Sequence, residues 1–513
     1  MGALTFLGHA ARLARAGFVM AREGAFVEIE VRGLPDNAQL PVRLANLVAR
    51  RGVKGSDGLS AAIAKLGPSY VKLGQFLATR PDVVGARIAH ELERLQDRME
   101  PAPREFAVRR VEAAFEQPIG EVFVEFGDAV AAASVAQVHR AKVRDDKGER
   151  DVAVKILRPG VERRFQRDLN DMFFAARLAE RFVPEAKRLR MVEVVETLAR
   201  SVRMEMDFRL EAAAAGEFAE NLENDPDFRA PGIDWDRTTR EVLTMEWIDG
   251  HPAADPAEVA KLGFDAPDLG RKIIQSFLRQ ALYNGFFHAD MHPGNFLVDT
   301  RGKLVALDFG IMGRLGLKER RFLAEILFGF IRRDYVRVAE VHFEAGYVPR
   351  HYRIDDFAQA IRAIGEPIHA RPADQISMAK LLTLLFEVTA LFDMRTRVEL
   401  VMLQKTMVVV EGVARKLDPR LDMWKTAEPV VGAWIAENLG PQGRLEDASR
   451  ASALLARQAL DAPERLAKLG RWIDALPEGS ESWRHGGGRV GGAALWWIAF
   501  ALLWIAARLT FWG

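Results

Sequence analysis

"FFHADMHPGNFLVDTRGKLVALDFG", Phe286–Gly310, decides the reading of this chain. Asp290 is followed by Asn295, and Asp308 opens an Asp-Phe-Gly step thirteen residues after Asn295. Two carboxylates and an amide oxygen are hard donors, suited to Mg²⁺ that bridges nucleotide phosphates. A loop can carry the first two groups and a strand end the third. The intervening residues suffice for a loop, two short strands at "NFLVD" and "KLVALD", and a hairpin. The alternative, a metal pair on His288 and His292, is weaker: Ala289 stands where H-E-x-x-H needs Glu, and Pro293-Gly294 end any helix at once.

The same spacing is that of H-R-D-x-x-x-x-N and D-F-G in protein kinases, with Ala289 in place of Arg. Asp290 is then a catalytic residue, and Asn295 and Asp308 bind the cofactors ATP and Mg²⁺. A second element lies upstream. "VAVK", Val152–Lys155, ends a strand where kinases place V-A-I-K, so Lys155 is expected on the α/β-phosphates, held by a helix carboxylate. Glu205 and Glu211 are both candidates for that carboxylate, with Asp207 between them. A third element departs from the kinase pattern. "AAASVAQV" keeps the G-x-G-x-x-G-x-V spacing but has Ala131, Ala133 and Ala136 for the glycines. Each alanine adds a Cβ and removes backbone freedom at a phosphate loop. Ala131, Ala133, Ser134, Val135 and Ala136 are nucleotide-contact candidates, as is Glu246 at the end of the strand "EVLTME". After Asp308 the chain runs directly toward a helix, "IMGRLGLKERRFLAEIL". No activation segment or A-P-E follows, so the surface that holds a peptide substrate is missing.

The bulk properties frame these motifs. At 513 residues the chain exceeds one compact core, and its net charge of +1 provides no field for nucleic acid. There is no cysteine, which excludes disulfides and thiolate chemistry. No flavin fingerprint or iron triad is present. Helical spacing dominates residues 1–115, with "GLSAAIAKLGPSYVKLGQFLATRPDVV" interrupted at Gly67-Pro68 and "ARIAHELERLQDRME" reading as one amphipathic helix ended by Pro101. "EVFVEF", "SVAQVHRAKV" and "RDVAVKILR" read as three strands, the last two joined at "DDKG". Long helices fill 315–470. The first 54 residues hold eight Lys/Arg against four Asp/Glu, and Leu4, Leu7, Ala11 and Phe18 share a helix face that suits either a membrane surface or the protein's own body.

The far end is apolar. Ala493–Ala507 holds fifteen residues without a polar side chain, flanked by Trp512 and Arg508 and preceded by the glycine-rich "RHGGGRVGG". With its flanks it reaches the roughly 20 residues of a spanning helix. By the positive-inside rule, Arg484 and Arg489 before it lead us to expect the body on the cytoplasmic side of the membrane.

Taken together, "KLGQ" (Lys72–Gln75), the alanine loop, Lys155, "EMD" (Glu205–Asp207), "HADMHPGN" (His288–Asn295) and "DFG" resemble the UbiB family of atypical, protein-kinase-like proteins, the aarF-domain group. "RDYVRVAEVHFEAGYVP" and "LVMLQKTMVVVEGVARKLDPRLDMWKTA" carry the resemblance onward, so it covers nearly the whole chain from about residue 40. It implies an α+β, bilobal kinase-like fold: a helical extension (1–115), an N-lobe (116–250), a C-lobe with helical additions (251–470), a linker (471–490) and a transmembrane helix (491–513). It further implies that Lys72 and Gln75 lie in an extension folded over the site, that Lys72 pairs with Glu205 of the E-x-D segment, and that Glu211 then serves Lys155. The implied activity is a membrane-attached ATPase or kinase-like factor for ubiquinone biosynthesis. Its implied partners are ATP, membrane lipid, polyprenylphenol quinone precursors and other proteins of that pathway.

Overall fold

The computed structural model describes residues 3–27, 43–50 and 55–78 and, from 84 to 440, all but scattered positions (85, 93–94, 96–98, 147, 184–185, 188, 254 and parts of 370–397). The helical extension opens with α1 (Ala3–Arg22), α2 (Gly55–Leu66), α3 (Pro68–Ala78) and α4 (Ala86–Leu92). Ile63, Val71, Ala78 and Leu92 give it a small core of its own. Gly74 is required there, because a Cβ would lie 2.4 Å from Leu95 Cδ1. α5 (Arg104–Phe115) and the single turn α6 (Ile119–Val122) lead into the first sheet.

That sheet is antiparallel. It takes β1 (Glu125–Ala132), β2 (Ala136–Asp145) and β3 (Gly148–Leu157) and, after the two-residue β4 (Phe228–Arg229), the strand β5 (Val242–Glu246), in the order β1-β2-β3-β5. Strand alternation divides β3 into two faces. Val152, Val154 and Ile156 pack with Ala107 and Val111 of α5 and with Phe123 and Phe126. Leu157 packs on the opposite face against α7 (Val161–Phe182), α8 (Met191–Glu205) and α9 (Phe208–Asn221). Lys155 shares the parity of Leu157, so it leaves the sheet toward those helices.

The second half of the chain builds a smaller sheet, β4-β9-β8-β6, from β6 (Gly250–Pro252), β8 (Phe296–Asp299) and β9 (Leu304–Ala306). A ribbon pairs β7 (Phe286–His288) with β10 (Met312–Arg314). α10 (Pro256–Lys261) and α11 (Ala266–Arg279) precede β7, and α11 ends in a π turn, Gln280–Asn284. The remaining helices are α12 (Leu317–Arg332), α13 (Tyr335–Glu344), α14 (Ile354–His369), α15 (Val398–Leu417) and α16 (Met423–Leu439). Tyr335 and Val338 of α13, Phe357 and Ile361 of α14, and Phe392 form one core among them.

The mixed helix and sheet content meets the α+β expectation, and three local readings change. "EVFVEF" is not one strand: Glu121-Val122 finish α6, and β1 starts only at Glu125. "ARIAHELERLQDRME" does not form one helix to Pro101. Helix α4 is described to Leu92, residues 93–94 and 96–98 lie outside the described residues, and Leu95, Met99 and Glu100 are not helical; Met99 N–H donates to Ala132 O, and the Gln137 side chain bonds both the N–H and the C=O of Ala102. On α1 the packed face is not the one carrying Leu7 and Phe18, which are 61% and 51% exposed. Ala16 and Ala21 are buried instead, and His9 and Arg12 reach Asp171 on α7. Among the described residues no helix is long and apolar enough to cross a membrane, and the linker and the apolar run 491–513 lie outside them.

Candidate active site

β3 brings Lys155 inward, and α9 brings Glu211 to meet it. Asp207 starts α9 as its N-cap, its side chain accepting from the Arg209 N–H at 3.2 Å. This break separates Glu205, the last residue of α8, from Glu211 on α9, and so gives them different partners. Lys155 Nζ donates to Glu211 Oε1 at 2.7 Å and lies 3.4 Å from Asp308 Oδ2. Lys72, on α3 of the extension, forms an ion pair with Glu205. Gln75 follows three residues later on α3. Asp207 itself pairs with the Arg209 side chain at 2.7 Å and so acts in the fold as a cap.

The electrostatics are those of a phosphate site. Burial opposes the charge on Lys155, but Asp308 and Glu211 outweigh it and hold the amine well above its usual pKa. Burial likewise opposes the charge on Asp308. The Lys155 ammonium, the Gly310 N–H at 2.8 Å and the Lys72 charge overcome that and hold its carboxyl down to about 2. Burial pushes Glu211 up, so its ionised form depends on Lys155.

The loop from β7 to β8 supplies the remaining groups. His288 is buried, and burial keeps its imidazole below the usual range and neutral at pH 7. Its tautomer follows from its partners: Nε2 donates to the Asp308 carbonyl, and Nδ1 accepts the Asp290 N–H at 3.2 Å. One ring therefore joins both acidic motifs. Asn295 donates from Nδ2 to the Asp290 carbonyl at 2.9 Å and to its carboxylate at 3.1 Å, which leaves Oδ1 as the acceptor for a cation. Leu307 N–H donates to Asn295 O at 2.8 Å, so Asn295 lies beside the strand end that carries Asp308. These residues fit a magnesium ion held jointly with phosphate oxygens: two hard protein oxygens, one of them charged, with the other positions left to water and phosphate. Among the described residues no group of three or more His, Asp or Glu would hold a metal alone.

The alanine loop is only partly available. Ala133 N–H donates to Ala136 O at 2.8 Å and closes a tight hairpin. Val135 and Ala136 turn inward and pack with Phe165, Leu198 and Phe208, and Leu73 and Phe76 of α3 pack on the same cluster. Their side chains belong to the core, and their backbone is what a phosphate could approach. Ser134 is also buried, whereas Ala131 is exposed. The Glu246 side chain also has partners within the fold. Its carboxylate accepts from Arg229 at 3.0 and 3.1 Å and from the Gly232 N–H at 3.1 Å, so the side chain is engaged by the fold.

Two supports were not legible in sequence. Gln280, on the π turn, accepts the His288 N–H, and Thr406 on α15 donates to the Ala289 carbonyl at 2.8 Å. Neither carries a motif. Beyond Gly310 the chain turns into β10, which Arg314 ties to Glu217, and α12 begins at Leu317. No platform for a peptide stands there.

A lysine–glutamate pair from strand and helix, an His-x-Asp loop and an Asp-Phe-Gly strand end define a protein-kinase-like protein. The match to the ABC1 atypical kinase-like domain over residues 94–342 specifies an atypical one, and a UbiB helical domain follows at 361–422. The chain belongs to the UbiB family. It is 40% identical over 442 residues to a probable protein kinase UbiB of Marinobacter nauticus, covering 85% of this chain and 80% of that one. The probable protein kinase UbiB of Pseudomonas paraeruginosa is 38% identical over 445 residues, covering 85% and 83%. Among solved structures, the Rv3197–erythromycin complex from Mycobacterium tuberculosis superposes with a TM-score of 0.50 at 25% identity, over 77% of this chain and 97% of that one.

Proposed function

We propose that this protein is a membrane-attached, kinase-like ATPase that supports ubiquinone biosynthesis from the cytoplasmic side of the bacterial inner membrane. The observation that carries the reading is the Lys155–Glu211–Asp308 contact beside a chain that continues from Gly310 into α12 without a peptide platform. Catalytic groups for phosphoryl transfer are kept, and the docking surface of a protein kinase is not.

In this reading Lys155 neutralises the α/β-phosphates, and Glu211 keeps its amine in place. Asp308 and Asn295 Oδ1 would hold Mg²⁺, whose charge would offset that of the phosphates. Asp290 orients the attacking hydroxyl group and accepts its proton. With water as the nucleophile, its oxygen bonds to the γ-phosphorus, the bridging P–O bond breaks, and ADP and phosphate leave. The domain limits at 115, 250, 470 and 490 and the anchor at 491–513 belong to the same proposal, the anchor resting on the apolar run and its glycine-rich approach. Relatives named UbiB and the ubiquinone-linked family support the pathway.

The second reading, transfer to a lipid or small molecule such as a polyprenylphenol precursor, is favoured by the same missing platform. Labelled ATP separates the two. Label appearing as free phosphate supports the ATPase, whereas label in a lipid extract supports the kinase. Quinone profiling of cells carrying only Asp308→Asn tests the pathway, and normal quinone levels would sink it. Deleting residues 491–513 should release the protein from membranes, and a firmly bound truncation would move the anchor elsewhere.

A further inference from the structure

We propose that Arg229 is a positioning residue for the nucleotide site: one guanidinium shared by Glu246 and Asp299 sets the angle between the two sheets. Arg229 Nε donates to Asp299 Oδ2 at 3.0 Å, and Nη1 donates to both Glu246 oxygens at 3.1 and 3.0 Å. Glu246 ends β5 of the first sheet, and Asp299 ends β8 of the second. The chain crosses between the sheets at Trp247–Asp249, immediately beyond the clamped residue.

Each carboxylate stands next to catalytic machinery. Glu246 pairs in register with Val152, three residues before Lys155 on β3. Asp299 closes the strand that begins just after Asn295, and β8 pairs Phe296 with Ala306, two residues before Asp308. The fork therefore holds the strand of the amine on one side and the hairpin of the metal ligands on the other. The 3.4 Å approach of Lys155 to Asp308 spans the two sheets, so it depends on their angle.

The fork is itself anchored. Asp225 accepts from the N–H groups of Asp227 and Phe228 at 2.9 and 3.0 Å and from Arg279 of α11 at 2.8 Å, which fixes the segment leading to Arg229. Asp299 is 3% exposed and also accepts from the N–H groups of Arg301 and Lys303 at 3.0 and 2.9 Å. Only a planar fork reaches both acids. A lysine ammonium is a point charge and can serve one of them.

The inference rests on the ATP reading only for its kinetic readout, and the structural readout stands alone. The chain has no cysteine, so a single engineered pair can be spin-labelled without background. Val130→Cys on β1 and Leu317→Cys at the start of α12 use side chains that are 55% and 66% exposed. Arg229→Met in the full-length labelled protein should broaden and shift the distance distribution between β1 and the start of α12, which moves with the second half of the chain, and kcat/KM for ATP should fall on the order of 10²-fold, the size a 1 Å misplacement carries. Arg229→Lys should show the same change and serves if Arg229→Met does not fold. Distances identical to those of the parent would overturn the proposal. A broadened distribution in a protein that turns over no ATP would uphold the fork and sink the ATP reading instead.

Discussion

Lys155 meets Glu211 at 2.7 Å, with only 14% and 7% of the two side chains exposed. Glu211→Gln keeps the shape and leaves the ammonium without its helix partner. Breaking a buried pair in this way costs about 3 kcal/mol. Urea unfolding should show that loss, and phosphate release should fall with it. Full stability in the variant would mean that Asp308 alone balances Lys155.

Asp308→Asn should keep the fold and lower ATP turnover by roughly 10²–10³-fold, the scale for losing one preorganised electrostatic group. The native carboxyl titrates at about 2, below its unfolded value near 3.9. Its contribution to stability is therefore full above about pH 4 and is lost as pH falls toward 2. The urea midpoints of wild type and variant should converge over that interval. A gap that stays constant down to pH 2 would contradict the depressed carboxyl.

Burial holds the three imidazoles of His139, His288 and His342 below the ordinary range. The unfolded chain binds protons near pH 6.5 that the folded chain refuses, so stability should be full above that pH and decline below it. His342→Phe, remote from the catalytic loop and already among Tyr347 and Phe357, should flatten part of that slope. An unchanged slope between pH 5 and 7 would remove His342 from the account.

Arg12 donates to Asp171 at 2.6 and 2.7 Å, and that carboxylate is 2% exposed. Arg12→Ala should cost about 2 kcal/mol, since charge-assisted bonds to a buried acid are the strong ones. Chemical denaturation reads this directly. No change would show His9 to be a sufficient partner.

Ala133 is the loop alanine whose backbone closes the hairpin, and it is only half-buried. Ala133→Gly should cost at most about 1 kcal/mol and alter nucleotide affinity, because glycine restores backbone freedom where phosphate approaches. Titration with ADP and ATP decides it. Identical affinities would leave the alanine as hairpin packing.

The catalytic groups were legible in the sequence because short strands and a fixed hairpin tie Asp290, Asn295 and Asp308 to constant spacing, and because alternation sends Lys155 to one face. The partner of Lys155 was not legible from spacing, since the Asp207 cap divides what reads as one helix. The burial of Val135 and Ala136 was not legible either, because a loop motif says where the backbone turns, not which side chains the turn buries. Arg229 had no signal at all. "NDPDFRAPG" has no period, and its function arises from two acids brought together by separate sheets. The contact of Arg12 was not legible either, because its partner Asp171 lies on α7, far along the chain.

The contact between α1 and α7 also has a history in time. His9 and Arg12 reach an acid 162 and 159 residues further along the chain. At about 5–20 residues per second, synthesis delivers that acid roughly ten to thirty seconds after the first helix has left the ribosome. Through that interval His9 and Arg12 have no acid on α7 to meet. Helix α1 is therefore made well before the element that seats it, and a chaperone or a lipid surface meeting the nascent chain would find its polar face still unpaired.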